Sequence, residues 1–231
     1  FTEVDLFCEE RTEGHKDLMN HEDIVAKELF YNAPEKEQVD RLSRLLEGEH
    51  FKGIQARLEE MGMRKGFNVI LYGGPGTGKT EFVKYLGCVL NTKVAVKMGS
   101  DLLSMYVGGT EHNIKAAFAQ AEAEHAILFL DEIDGLVQSR DRANRSWEVT
   151  QVNELLYQME NFNGIMIGAT NFIQNLDPAI MRRFTFKLSF DYLDNYGKIV
   201  FFERMFDTKL STTERKRLEA IENLTPGDFR T

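Results

Sequence analysis

Gly73 to Thr80 read GGPGTGKT, and this stretch decides the fold. An apolar run, residues 67–72, comes directly before it, and residues 81–90 after it have the pattern of a helix. The stretch fits the phosphate-binding pattern G-x-x-x-x-G-K-[ST], in which Gly73 and Gly78 are the flanking glycines. A chance glycine-rich turn is the alternative, but the order of strand, glycine loop and helix favours a phosphate site.

The chemistry of phosphate binding explains the residue types in this loop. Glycines allow positive φ, so that successive N–H groups turn inward and approach phosphate oxygens, and the N-terminus of the following helix faces the same anion. Lys79 can reach the β- and γ-phosphates, and the Thr80 hydroxyl can coordinate Mg²⁺. The predicted nucleotide-binding residues here are Gly73, Gly74, Pro75, Gly76, Thr77, Gly78, Lys79, Thr80 and Glu81.

A second landmark is residues 127–134, which read ILFLDEID. Four consecutive apolar residues predict a strand buried on both faces, as in a parallel sheet, with acids at the carboxyl end where such sheets bind ligands. We expect Asp131 to bind nucleotide through the Mg²⁺ shell, and Glu132 to orient the attacking water or accept its proton. Surface acids after a core strand are the alternative.

Three further positions, in two stretches of the chain, are candidates for catalysis. Residues 164–169 (GIMIGA) predict another buried strand, after which the Asn171 amide could hydrogen-bond the γ-phosphate or the attacking water, although Asn is also a common turn residue. Asp177 and Pro178 predict the N-cap and first position of a short helix, and Arg182 and Arg183 follow it. A solvated basic pair is the alternative for these arginines.

The remaining chain divides into three parts. Residues 1–49 form an N-terminal segment or linker, partly helical, residues 50–191 a large α/β nucleotide-binding domain, and residues 192–231 a small helical lid, which we expect to be truncated. Within the large domain, Ser100 is expected to cap a short helix. The loop MYVGGT after it predicts that the Tyr106 ring points outward.

Composition limits the classes of function. The 231 residues are 42% hydrophobic and carry a net charge of −9, so a broad electrostatic interaction with DNA or RNA is not expected. Cys8 and Cys88 lie far apart without metal-ligand spacing, which favours a reducing cytoplasm. No signal-peptide pattern and no run of 18 apolar residues occurs, so we expect no membrane insertion.

From residue 50 to residue 231 the chain resembles the AAA family of the AAA+ ATPases. The resemblance lies in the ordered set GGPGTGKT (Walker A), ILFLDEID (Walker B), IGATN (sensor 1) and NLDPAIMRRF (arginine fingers), with MYVGGTE similar to a substrate-gripping pore loop. It implies a five-stranded parallel sheet with a helical lid, ATP at their junction, and a ring, usually a hexamer. It also implies that Tyr106 and Val107 grip substrate, and that Arg182 or Arg183 acts on the ATP of a neighbouring subunit.

We therefore expect a Mg²⁺-dependent ATPase motor that remodels, unfolds or disassembles a macromolecule, with protein favoured. A clamp-loader- or helicase-like AAA+ protein would have the same ATP site, but Tyr106, Val107 and the acidic charge speak against it. A P-loop kinase or transferase would not need Glu132, Asn171 and the arginine pair together. A switch that binds ATP without hydrolysing it would be expected to lack Glu132.

Overall fold

The computed structural model describes residues 17–24, 32–63, 65–137 and 146–230. Much of the predicted N-terminal segment, residues 1–16 and 25–31, lies outside the described residues. The described residues form a six-stranded sheet in the order β1-β3-β4-β5-β2-β6. Its strands are β1 (Leu18–Met19), β2 (Phe67–Gly73), β3 (Val94–Met98), β4 (Ile127–Asp131), β5 (Ile165–Thr170) and β6 (Phe186–Phe190).

Five of these strands, β2 to β6, run parallel, which confirms the predicted five-stranded parallel sheet. In the register, Val69 of β2 pairs with Ile167 of β5, and Leu128 of β4 pairs with Met166 of β5. The sixth strand, β1, pairs antiparallel with β3, lies at the edge of the sheet and was not predicted. Two residues are too few to carry the alternating pattern by which a strand is recognised in a sequence.

Helices cover both faces of the sheet. They are α1 (Ala33–Leu46), α2 (Gly48–Glu60), α3 (Lys79–Val89), α4 (Gly99–Leu102), α5 (Gly109–Ala123), α6 (Ser146–Asn161), α7 (Pro178–Met181), α8 (Asn195–Met205) and α9 (Thr212–Glu219). Short 3₁₀ helices lie at His21–Asp23, Ile133–Gly135, Ile173–Asn175 and Pro226–Arg230. The expected cap at Ser100 is wrong by two residues, because α4 begins at Gly99 after Met98.

The two faces of the sheet build two separate cores, which is why the central strands are apolar throughout. On one face, helices α5 and α6 contribute Ile114 and Leu155, which pack with Leu128 and Met166 of the sheet. On the other face, Leu42 and Leu46 of α1 and Phe82 of α3 pack against the sheet. Their partners there include Val69 of β2 and Phe129 of β4. The limits proposed for the three parts of the chain stay predictions.

The strand order places the carboxyl ends of β4, β5 and β2 side by side. The P-loop follows β2, the acids lie at the end of β4 and Asn171 follows β5. All three predicted motifs therefore lie at the carboxyl ends of neighbouring strands. After β6, the helices α8 and α9 and the 3₁₀ turn at Pro226–Arg230 form the lid; the rings of Phe201 and Phe229 pack 4.9 Å apart within it. Within the described part of the chain, no helix has the length and apolar character needed to cross a membrane.

Candidate nucleotide-binding site

The P-loop links the end of β2 to the start of α3, and its glycines serve different needs. Gly76 and Gly78 have φ of +74° and +99°, in the left-handed region that favours glycine. At Gly73 a Cβ would collide with the backbone carbonyl of Phe190 on β6. The Thr77 hydroxyl donates to the Gly74 carbonyl over 2.8 Å, which closes the loop internally. The loop therefore has the backbone of an anion-binding nest.

Lys79 is the first residue of α3 and connects the loop with the neighbouring strand. Its ammonium donates to the carbonyls of Gly73 (2.9 Å) and Gly74 (2.8 Å) and to Asn171 Oδ1 (2.7 Å). Burial lowers the pKa of Lys79, and the nearby carboxylates of Asp131 and Asp134 act in the opposite direction. Phosphate oxygens would compete for the same three donors, so the lysine lies where it can respond to a bound nucleotide.

The predicted Mg²⁺ residues also meet. Thr80 Oγ1 donates to Asp131 Oδ2 over 3.0 Å, and the other oxygen of Asp131 accepts the Glu132 N–H over 3.0 Å. One hydroxyl and one carboxylate beside a phosphate loop suit Mg²⁺, which is commonly bound by one or two carboxylates together with substrate phosphates. Among the residues described, no cluster of three or more His, Cys, Asp or Glu side chains forms another metal site. The donor set thus fits Mg²⁺ with a nucleoside triphosphate.

Glu132 has an unusual backbone. Its φ of +52° and ψ of +45° lie in the left-handed region, which is uncommon for a residue with a side chain and is enriched at functional sites. The residue is exposed and starts the 3₁₀ turn Ile133–Gly135. Opposite it, a Cβ on Gly99 would collide with the Glu132 carbonyl oxygen. The turn after β4 therefore aims Glu132 away from the strand and into solvent beside Asp131.

Asp134 and Thr170 belong to the site and were not predicted. The Thr170 hydroxyl donates to Asp134 Oδ1 over 2.8 Å and accepts the Phe172 N–H over 2.9 Å. This bridge fixes the turn after β4 to the end of β5, and so sets Glu132 relative to Asn171. The signal was present in the sequence, because Asp134 lies three residues after Asp131 and Thr170 directly precedes Asn171.

The lid contacts the P-loop directly. The resemblance implied ATP at the junction of the sheet and the lid, but none of these contacts. The Gly227 N–H donates to the Gly76 carbonyl over 3.1 Å, and a Cβ on Gly76 would lie 2.8 Å from Thr225 Oγ1. A Cβ on Gly74 would lie 3.0 Å from the hydroxyl of Tyr192. The contacts with Gly76 come from the stretch TPGD at residues 225–228, whose residue types indicate a turn or a helix start but not its partner.

The other predicted nucleotide-binding positions are Pro75 and Glu81. Pro75 is exposed at the tip of the P-loop. Glu81 lies in the first turn of α3 and forms an ion pair with Lys84 over 3.7 Å. Pro75 is therefore part of the loop, and Glu81 directly follows it.

The two arginines lie near the amino end of β2, whereas the P-loop lies at its carboxyl end. Arg182 and Arg183 follow α7 and are exposed, and Arg183 forms an ion pair with Glu160 of α6. The Arg183 carbonyl accepts a hydrogen bond from Asn68 Nδ2 over 3.3 Å, at the amino end of β2. The P-loop begins five residues further along this strand, about 16 Å away. The structure thus separates these arginines from the P-loop of the same chain.

The predicted pore loop is well exposed. It connects α4 with α5, and the exposed fractions of Met105, Tyr106 and Val107 are 90%, 76% and 98%. Gly108, with φ of +78°, ends the loop and is the N-cap of α5. The predicted outward orientation of Tyr106 is confirmed, whereas its contact with a substrate stays a prediction.

Comparison with known proteins bears on this site. The model of the ATPase family associated with various cellular activities (AAA) matches residues 69–192. Over 151 residues the chain is 34% identical to the ATP-dependent zinc metalloprotease FtsH 2 of Thermoanaerobacter sp. (strain X514), covering 63% of this chain and 29% of that protein. It is 31% identical over 175 residues to the peroxisomal ATPase PEX6 of Penicillium chrysogenum, covering 71% and 11%.

A longer match is to a putative cell division cycle ATPase of Plasmodium falciparum (isolate 3D7), at 27% identity over 216 residues, or 89% of this chain and 16% of that protein. The chain spans less than a third of the length of these relatives. The family match covers more than half of the chain and contains the P-loop, the acids after β4, Asn171 and both arginines. The chain therefore belongs to the AAA family of ATPases, which are ATP-hydrolysing enzymes.

Proposed function

We propose that this chain hydrolyses ATP with Mg²⁺ and uses the energy to remodel, unfold or disassemble a protein substrate. The observation that carries the proposal is the meeting of three motifs at one edge of the sheet. Lys79 donates a hydrogen bond to Asn171 over 2.7 Å, and Thr80 donates one to Asp131 over 3.0 Å. These contacts join the phosphate loop, the acidic strand end and the neighbouring amide into one site that suits a nucleoside triphosphate.

Each residue then has a role in hydrolysis. The N–H groups of the P-loop and the Lys79 ammonium hold the phosphates. When bound at Thr80 and Asp131, Mg²⁺ would neutralise charge on the phosphate oxygens. Glu132 orients the attacking water and takes its proton, and Asn171 donates its amide N–H to the γ-phosphate or accepts from the water.

The exposed loop between α4 and α5 favours a protein substrate. Tyr106 and Val107 present an aromatic and an aliphatic side chain to solvent, and such surfaces suit the irregular apolar side chains of a polypeptide. The net charge of −9 disfavours a nucleic-acid backbone. FtsH 2 is named a metalloprotease, and a protease acts on protein. An AAA+ protein acting on nucleic acid is the second candidate, whereas the family assignment speaks against a P-loop kinase.

We also propose a head-to-tail ring, hexameric as in the family, located in the cytoplasm. The position of Arg182 and Arg183, about 16 Å along β2 from the P-loop, supports a ring, because these arginines can contribute to hydrolysis only at a neighbour's site. The cytoplasmic location rests on the cysteine usage and is tested by cell fractionation.

The ATPase rate, measured against protein concentration with unfolded protein or with DNA, tests this function. We expect the rate per subunit to rise with concentration as subunits assemble, and to rise further with unfolded protein but not with DNA. Stimulation by DNA alone would instead support the second candidate. If the protein binds ATP but releases no phosphate under any of these conditions, the proposal that it hydrolyses ATP is contradicted.

A further inference from the structure

The connector between the sheet and the lid, residues 191–194, is held by two side chains from the start of α1. Asn32 Nδ2 donates to the Tyr192 carbonyl over 2.9 Å, and Asn32 Oδ1 accepts the Asp194 N–H over 2.9 Å. Glu35 Oε1 accepts the Asp191 N–H over 3.2 Å and a hydrogen bond from Asn32 Nδ2 over 3.2 Å. Side chains about 160 positions away therefore bind three backbone groups of the connector, the Asp191 N–H, the Tyr192 carbonyl and the Asp194 N–H.

Asn32 has a local alternative that it does not use. It occupies the N-cap of α1, where an Asn side chain ordinarily accepts an N–H from the first turn of its own helix, yet it makes no such bond. Both ends of its amide are directed to the connector instead. The capping contribution, about 1 kcal/mol in typical helices, is thus given up for contacts with the connector.

The position of Glu35 is also energetically unfavourable for its carboxylate. The residue is only 7% exposed, and among the described residues its second oxygen, Oε2, has no hydrogen-bond partner. Burial of a carboxylate is unfavourable unless its hydrogen bonds compensate. Glu35 borders a cavity of about 10 Å³, the size of one water, together with Thr77 of the P-loop and Pro226 of the lid. The carboxylate thus lies between the connector, the P-loop and the lid.

The connector in turn determines where the lid meets the P-loop. The Tyr192 hydroxyl lies against Gly74. The Leu193 N–H donates to the Leu224 carbonyl over 2.8 Å, and directly after Leu224, residues 225–227 pack on Gly76. Asp194 caps α8 by accepting the Gly197 N–H over 2.6 Å. A displacement of the connector would therefore move both lid contacts off the P-loop.

We propose that Asn32 and Glu35 form a clamp that holds the lid on the P-loop and sets the rate at which nucleotide leaves. They are positioning residues, because they act through residues 191–194. This inference rests on the proposed binding of nucleotide at the P-loop. Release requires the lid to separate from Gly76, and the clamp opposes that separation by fixing the connector to α1.

The variant Asn32→Ser distinguishes the role of Asn32 in the clamp from its role at the N-terminus of α1. Serine is as good an N-cap as asparagine, so α1 keeps its preference, but its side chain is too short to bridge Tyr192 and Asp194. Release of a fluorescent ADP analogue, chased with excess ADP, should be about fivefold to thirtyfold faster, the effect of one or two lost hydrogen bonds of about 1 kcal/mol each. Asn32→Asp, which lacks the donor to Tyr192, should also release faster than wild type.

A matched control is Asn161→Ser. Asn161 Nδ2 also donates to a backbone carbonyl, that of Tyr157 over 2.8 Å, but at the end of α6. The Asn161→Ser variant should release the ADP analogue at the wild-type rate. In the Asn32→Ser variant, single-turnover hydrolysis of bound ATP should be unchanged, because Lys79 and Glu132 are untouched, and this distinguishes positioning from a general loss of structure.

The outcomes distinguish two failures. If wild type, like Lys79→Ala, binds no nucleotide, the proposed function is wrong. If wild type binds nucleotide but both Asn32 variants release it at the wild-type rate, the clamp is wrong and the proposed function stands. Equal acceleration in Asn161→Ser would likewise contradict the clamp.

Discussion

Lys79 Nζ lies 2.7 Å from Asn171 Oδ1, although the two residues are 92 positions apart in the chain. The contact crosses from the first residue of α3 to the residue after β5, which pairs with β2. It places the amide of Asn171 beside the one P-loop side chain that carries positive charge. A γ-phosphate held by Lys79 would therefore lie within reach of Asn171.

Asn171→Ala should leave nucleotide binding nearly intact and slow hydrolysis. The P-loop backbone and Lys79 remain, but the amide that contacts the γ-phosphate or the water is lost. Loss of one such positioned donor typically reduces the rate by about 100-fold or more. Nucleotide affinity and single-turnover hydrolysis measure the two effects. A rate within about twofold of wild type would remove Asn171 from the catalytic residues.

Tyr106→Ala should abolish work on a protein substrate while leaving basal ATPase activity and melting temperature close to wild type. The ring is 76% exposed, so its removal creates no cavity. The matched control is Tyr196→Ala, since Tyr196 on α8 is also 76% exposed. Unfolding of a labelled substrate gives the measurement. Equal loss in both variants, or full activity of Tyr106→Ala, would be incompatible with a gripping role.

Replacing Arg182 and Arg183 together by alanine should preserve ATP binding and reduce hydrolysis by about 10³–10⁵, the range for arginine fingers. In our proposal one of the two guanidinium groups acts on a neighbour's phosphate, so both are replaced to remove the finger from the adjoining site. A double replacement of the exposed Lys216 and Arg217 on α9 serves as the control and should retain activity.

Mixing tests whether these arginines act between subunits. The Arg182/Arg183 variant keeps its P-loop and Glu132, and a Glu132→Gln variant keeps its arginines, so some mixed interfaces contain one complete site. We expect activity to return when the two inactive proteins are mixed and subunits exchange. No recovery, with exchange demonstrated independently, would mean that the arginines do not act in trans.

The lid should lose stability in acid through Glu203. Hydrogen bonds from Lys209, from the Leu210 N–H and from Arg215 lower the pKa of Glu203 from 4.5 to about 2. Its folded pKa is below its unfolded pKa, so its contribution is complete above about pH 4.5 and disappears as the pH falls towards 2.

Glu203→Gln should therefore melt below wild type at pH 7, and the difference should shrink between pH 4.5 and about 2. Glu222→Gln, at an exposed position of the same lid, is the control for the substitution itself and should melt like wild type at pH 7. Melting temperatures across this range measure both. A difference for Glu203→Gln that stays constant with pH would show that charge is not its cause.

The sequence predicts most of the fold because the relevant signals are local. The P-loop and the apolar runs identify the parallel strands, and Asp177 with Pro178 predicts α7, where Asp177 Oδ1 accepts the Ala179 N–H over 2.7 Å. Strand β1 gives no such signal, since it is two residues long and its pairing with β3 depends on tertiary structure.

The candidate site was predictable as a set of residues but not as a set of contacts. The motifs named Lys79 and Asn171, yet only the strand order brings them to 2.7 Å. Asn32 illustrates the limit, because its local preference is to cap α1 and its two backbone partners lie about 160 residues away. The contact of Gly227 with Gly76 likewise depends on how the lid folds back.

Glu132→Gln provides the most direct test of ATP hydrolysis at this site. The variant keeps the P-loop, Thr80 and Asp131, so we expect its ATP affinity to stay within about threefold of wild type, while turnover falls by about 100-fold or more because the water loses its base. Lys79→Ala, purified in parallel, should lose nucleotide binding and reports any contaminating ATPase. Intact ATP recovered from Glu132→Gln after several wild-type turnover times is the predicted result. Hydrolysis by Glu132→Gln at a near wild-type rate, with none in Lys79→Ala, would contradict the assignment of Glu132 as the catalytic carboxylate.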